Sequence, residues 1–386
     1  MSCHKNNETQ TATNEPKPVA KTNAMNIYMH YMPWFQSKSV SGYWGSHWRM
    51  NTRNPDIDSS GFKQIASHYY PLIGPYDSND KDVLEYHLLL MKYAGVDAVL
   101  IDWYGSHDVN DYQTNLIASN TLITKIAEVG LKFAVVYEEY TAQSVQAQTS
   151  LTDIQAAQGD MTYLQKNYFS KAYHITIGNQ PLLLTFGPRY FTQSSQWTQI
   201  FSKLTTKPVF LPLWDHAGMT GQNSNGQFSW IDFTTDLTNL ENFYNQTSIG
   251  IKIGSAYPRY NDYYVQGGWG TSNGYVNANN GQTFINTLNK AQDHNLTYLQ
   301  LATWNDFGEG TVIEPTTQDQ FSFLESLQQF TGVSYGHDEL QLVYTYYQKK
   351  KQYASDSAAQ QKLLDVYHHL TALEVDAAKA LIDQLN

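Results

Sequence analysis

From Met25 to about residue 330, short apolar runs alternate with longer stretches in which apolar residues recur at helical spacing. NIYMHYM (26–32) predicts a first strand, and KDVLEYHLLLMKYAG (81–95) a helix closed by Gly95. VDAVLIDWY (96–104) and LKFAVVYEEY (131–140) read as buried strands, with helices over 112–129 and 152–169 beside them. A hairpin around Gly178-Asn179 feeds a strand at 181–186. Strands over 207–215, 249–257 and 296–304 follow, separated by helices over 194–204, 236–245 and 282–294, and a further helix covers 318–330. Residues 218–226 and 258–281 read as Gly- and Asn-rich loops.

Such alternation means a parallel sheet with helical crossovers. The expected fold is α/β, a (β/α)8 TIM-type barrel over 25–334, although only seven strands can be read and the eighth has no clear pattern. The rival is an open doubly wound sheet, which usually carries a glycine-rich turn after its first strand; here that turn is MPWFQSK. Residues 335–386 form a C-terminal helical extension, read as a hairpin broken near Ser355-Asp356-Ser357.

Composition limits the chemistry. Charged residues are only 15% against 41% hydrophobic, which disfavours a disordered chain. The net charge of −11 argues against nucleic acid as a partner. The sole cysteine, Cys3, rules out an internal disulfide or a cysteine zinc cluster. It heads a polar stretch, so residues 1–24 read as a disordered tether that adds nothing to stability, with Cys3 as a lipid-anchor site. The corresponding expectation is a monomeric lipoprotein of the cell envelope or a secreted protein, touching membrane only through Cys3. No HExxH spacing links His47, His107 or His216, so neither a metal nor a cofactor is expected.

Polar and aromatic residues crowd the C-terminal ends of the strands, where a barrel carries its active site. They are Tyr31 and Trp34, then Asp102, Trp103 and Tyr104, then Tyr137, Glu138 and Glu139, then Trp214 and Asp215, then Tyr257. The densest cluster is TWNDFGEGTVIEP (303–315), with Trp304, Asn305 and an Asp306/Glu309 pair three residues apart around glycines. Paired carboxylates suit glycosidic cleavage, in which one protonates the leaving oxygen and the other acts on water or on the sugar. A turn with solvated acids would give the same spacing. Trp44 and Trp48 in GYWGSHWRMN, and His68 and Tyr70 in HYYPLIGPYDS (68–78), are candidate sugar contacts.

The 303–315 stretch resembles the catalytic loop of glycoside hydrolase family 71, the fungal α-1,3-glucanases. GEGTVIEP, taken with HYMPWF and HYYPLIGPYDS, resembles family 99, the endo-α-1,2-mannosidases and mannanases. The resemblance spans roughly 26–330. It implies a barrel that hydrolyses an α-linked polysaccharide, α-mannan first and α-1,3-glucan second. It further implies Glu309 as acid/base and Asp306 acting on the sugar 2-hydroxyl. Asp306 stands where family 99 has glutamate, which leaves retention or inversion open. Glu314 reads as structural. The rivals are a glycan-binding lipoprotein without catalysis, which would have no need of both acids, and a polysaccharide lyase, which would need a cation that no motif supplies.

Overall fold

The computed structural model describes residues 15–385. Eight parallel strands form the barrel: β1 (Asn26–Tyr31), β2 (Ala98–Trp103), β3 (Lys132–Tyr137), β4 (Gln180–Thr185), β5 (Val209–Pro212), β6 (Gly226–Phe228), β7 (Ile251–Ala256) and β8 (Tyr298–Leu301). Neighbours pair in chain order, a parallel bridge between Leu213 and Phe228 joins β5 to β6, and β8 pairs with β1 from Tyr298 against Asn26. The ring is closed, as expected.

The unread eighth strand is β6. It has three residues and begins in the stretch read as a loop. The connection before it holds only short helical turns, including Ala217–Thr220, so no amphipathic helix announces it. A Cβ at Gly226 would lie 1.9 Å from the Ile251 carbonyl oxygen, so glycine is what lets β6 approach β7.

Period-two alternation divides the strand residues between two apolar layers. Leu100, Val136, Leu184, Leu211, Phe228 and Ile253 fill the barrel interior. Met29, Ile101, Val135, Leu183 and Leu301 face outward into the helical layer. That layer is built from α1 (Lys81–Tyr93), α2 (Tyr112–Val129), α3 (Asp153–Asn167), α4 (Ser194–Ile200), α5 (Thr238–Asn245), α6 (Gln282–Asp293) and α7 (Ser322–Thr331).

The extension has three helices where a hairpin was expected: α8 (His337–Gln352), α9 (Ser357–Thr371) and α10 (Val375–Ile382). The break before α9 falls where the sequence places it, with Asp356 accepting from the Ala358 and Ala359 amides. Helix α8 lies on α1, with Tyr346 donating to Glu85 and Lys351 paired with Asp80 and Asp82.

The tether expectation needs correction. Cys3 lies outside the described residues, but residues 17–24 are docked. The Lys17, Thr22 and Asn23 amides donate to the carbonyls of Thr371, Gly332 and Thr331. Lys21 pairs with Asp97, and the buried Lys92 ammonium donates to the Lys17 and Val129 carbonyls. Low apolar content concealed this, because the segment is held by backbone hydrogen bonds and lysines. A chain starting at Asn23 should therefore be less stable by about 2–4 kcal/mol, read as a lower urea midpoint, since Lys92 loses an acceptor and Asp97 its cation. An unchanged midpoint would show the docking to be energetically empty.

Candidate active site

The C-terminal ends of the strands open onto a cavity of about 260 Å³. Alternation decides which side chains reach it. The inward phase of β1 carries Tyr28 and then His30, that of β2 carries Leu100 and then Asp102, and that of β3 carries Val136 and then Glu138. Tyr31, Trp103 and Tyr137 are one residue out of phase and lie in the outer layer. Their polar atoms stay in that layer: Tyr31 meets His87, and Tyr137 donates to Asp160.

The 303–315 loop closes one wall. Asp306 donates its amide to the Thr303 hydroxyl, and its Oδ1 accepts the Glu309 amide at 2.9 Å. This folds the acid pair back on itself. Gly310 has φ +71°, and a Cβ there would meet the Asn261 carbonyl oxygen at 2.6 Å, so this glycine carries the turn. Gly308 has no such backbone requirement. Asn305 is fully buried and clasps Met32 through both its amide and its carbonyl, fixing the loop to the end of β1.

Glu309 Oε1 accepts from the Tyr260 and Tyr264 hydroxyls at 3.1 and 3.2 Å. Burial, reinforced by the charge of Asp306, pushes the Glu309 carboxyl up to about 8. Burial also raises Asp306, to about 6, with the Glu309 and Gly308 amides holding it down. Between those values Asp306 is the carboxylate and Glu309 the acid, the asymmetry that assigns base and acid to two like groups.

Asp102 and Glu138 form a second carboxyl pair at the ends of the neighbouring strands β2 and β3, both buried. Burial and the charge of Glu138 hold Asp102 well above the carboxylate range. Burial raises Glu138 to about 7 against the pull of Arg189. Both groups are thus held toward their protonated forms, Asp102 the more strongly. Arg189 also lines the cavity, its guanidinium 4.7 Å from the Phe186 ring centroid. Glu139, in the opposite phase, points away and accepts the Arg189, Tyr190 and Phe191 amides, holding the loop that carries that cation.

Of the residues singled out from sequence, Trp34, Asp102, Tyr104, Glu138, Asp306 and Glu309 line the cavity. Trp34 stacks on His47 at 4.1 Å. The others do not reach it. Trp44 donates to Asp56, and Trp48 is buried and donates to the Tyr76 carbonyl. His68 contacts the Asp262 carbonyl, and the Tyr70 hydroxyl accepts the Lys63 amide. Trp214 packs on Phe243, Tyr257 hydrogen bonds Asp232, and Trp304 is fully buried against His87. Asp215 is exposed outside the cavity. Glu314 is buried, accepting from Tyr76 and facing His87.

Sequence reading missed His30, Tyr140, Arg189, Trp230, Tyr264, Trp269 and Asn273, all in the cavity wall. The run of tyrosines in 257–264 was the available signal for the pair that holds Glu309. A cavity of about 300 Å³ also lies at the opposite end of the barrel, under Pro18 and Val19, without a pair of acids. The chemistry follows the carboxyl groups, not the volume.

Residues 22–351 match the model of glycosyl hydrolase family 99. The chain is 23% identical over 328 residues to the glycoprotein endo-alpha-1,2-mannosidase of Mus musculus, covering 75% of this chain and 68% of that one. It is 23% identical over 334 residues to the Homo sapiens glycoprotein endo-alpha-1,2-mannosidase-like protein, covering 78% and 70%. In fold it is similar to the family 99 endo-alpha-mannosidase structure from Bacteroides thetaiotaomicron. The TM-score there is 0.63 at 18% identity, over 83% of this chain and 98% of that one. The family match extends through α8, beyond the 26–330 span of the motif resemblance, and the chain belongs to glycosyl hydrolase family 99, whose members are glycoside hydrolases.

Proposed function

We propose that this hydrolase cuts α-mannosidic linkages inside a mannan-like polysaccharide. The observation that carries the chemistry is the Asp306/Glu309 pair, two buried carboxyl groups whose proton affinities are driven apart. The α-mannosidic part is supported by the names of the relatives in mouse and Bacteroides thetaiotaomicron.

Glu309 gives its proton to the leaving glycosidic oxygen as the C1–O bond breaks. Asp306 takes the proton of the sugar 2-hydroxyl, whose oxygen closes on C1. The Glu309 carboxylate then deprotonates water, whose oxygen bonds to C1 as the new C1–O2 bond breaks, and Asp306 returns its proton to the 2-oxygen. Tyr260 and Tyr264 hold Glu309 in place through both steps. The shorter Asp306 favours α-1,3-glucan as the second substrate to test. We also propose that Cys3 carries a lipid and holds the enzyme at the cell envelope. The support is its place as the sole cysteine, at the head of a polar stretch. Labelling with a radioactive fatty acid in the native host should mark the wild type and not Cys3→Ser.

The substrate is found by sizing products from α-mannans, α-1,3-glucan and unrelated glycans. Internal cleavage gives mixed oligosaccharides early, and release of monosaccharide alone from every α-mannan would refute the proposal. Glu309→Gln should lower turnover on an unactivated glycan by at least ~10²-fold, with a smaller loss on a substrate whose leaving group needs no protonation. Asp306→Asn should be damaging on both.

The profile of kcat/KM against pH should be a bell. It rises as Asp306 ionises near 6 and falls as Glu309 loses its proton near 8. In Asp306→Asn the alkaline limb should move down in pH, because the charge that helps raise Glu309 is gone. A limb that stays in place would mean that Glu309 is not the titrating acid.

A further inference from the structure

His30 sits deep in the same cavity as the acids and takes no part in the steps above. It is 1% exposed, and its ring meets Trp230 edge-on at 4.9 Å. Its Nδ1 lies 3.2 Å from Gln300 Oε1, and Gln300 Nε2 donates to the Ser229 carbonyl oxygen. That carbonyl can only accept, so it fixes the amide with Nε2 toward Ser229 and Oε1 toward His30. Nδ1 must then carry the proton of the neutral imidazole. Burial lowers the affinity of the ring for a second proton to about 4. Nε2 is left as a lone-pair acceptor, buried and without a partner among the described protein groups. A buried acceptor that nothing in the protein satisfies costs stability unless a bound molecule supplies the donor.

We propose that His30 is a specificity residue whose Nε2 accepts a hydrogen bond from one hydroxyl of the glycosyl unit bound in the cavity. The proposal rests on the glycoside hydrolase reading of that cavity and adds the requirement it places on the sugar. The lone pair calls for a hydrogen-bond donor, which on an unmodified hexose is a hydroxyl. A carboxylate directly at Nε2 would set lone pair against lone pair, so the group at this position must carry a donor hydrogen. Gln300 is a positioning residue, because it acts only by holding the tautomer of His30.

The test compares wild type and His30→Phe on an α-manno-oligosaccharide and on its monodeoxy analogues. Phenylalanine keeps a ring against Trp230 and removes the acceptor. Wild type should lose about 10–100-fold in kcat/KM at one deoxy position, the scale of an unsatisfied buried group. His30→Phe should lose a similar factor on the parent glycan and nothing more at that position, which is the coupling expected of a direct contact. A purely structural role would lower all substrates alike and leave the deoxy penalty intact, and that result overturns the proposal.

A second measurement requires no folded variant of His30. Imidazole ¹⁵N NMR of the wild type should show Nδ1 protonated and Nε2 bare at neutral pH, and a proton on Nε2 would also overturn the proposal. In Glu309→Gln, added glycan should shift the Nε2 signal; an unmoved signal in a saturated complex counts against the contact. If wild type cleaves no α-mannoside at all, the substrate reading fails. The NMR series, repeated across the glycan panel, then decides the role of His30 alone.

Discussion

Four carboxyl groups, those of Asp102, Glu138, Asp306 and Glu309, converge on one buried cavity that also holds the Arg189 guanidinium. Burial and mutual Coulomb repulsion disfavour four simultaneous charges at neutral pH. Protons must be distributed, and the surroundings decide where they stay. Backbone amides stabilise the charge on Asp306, whereas Glu309 receives only two phenol hydroxyls. Burial raises both Asp102 and Glu138, and Arg189 opposes the rise at Glu138. One acid and one base therefore emerge from chemically similar groups.

This arrangement depends on parts that never meet substrate. The Glu139 carboxylate gathers three amides to shape the loop bearing Arg189. Arg259 is 2% exposed, donates to the Gly310 carbonyl and makes a two-pronged pair with Asp319, so the peptide next to Glu309 is tied to the loop before α7. Its guanidinium lies 3.5 Å from the Tyr69 ring centroid. Breaking such a buried pair from one side would leave an uncompensated charge under the acid/base loop. The reach of a short catalytic side chain is thus set by a network extending well behind it.

The fold was legible because alternating short apolar runs and amphipathic stretches are a direct imprint of parallel strands buried on both faces. Seven strands could be read for that reason, and β6 could not, since three residues cannot establish a period. In the site, the acids that reach the cavity were visible as polar residues ending apolar strands. Phase was harder to read. Trp103 and Asp102 are adjacent and equally conspicuous, yet one packs on helices and the other lines the cavity. An all-apolar strand gives no local cue to which of its faces is inner. Tyr260 and Tyr264 were hidden differently, because a long loop carries no periodicity and its return to the barrel mouth is a tertiary event. The docked segment at 17–24 shows the same gap, being held by carbonyl and lysine pairings that hydropathy cannot register.

That segment also sets a direction. It crosses the end of the barrel where the strands begin, with Pro18 and Val19 beside Asn26, Ala98 and Tyr298, while the carboxyl groups lie where the strands finish. The chain therefore enters the fold on the face opposite the catalytic mouth. A chromatography bead coupled directly at Glu15 would be joined to the blind end of the barrel. The cavity then opens outward, toward whatever polymer is too large to slip between the enzyme and its support.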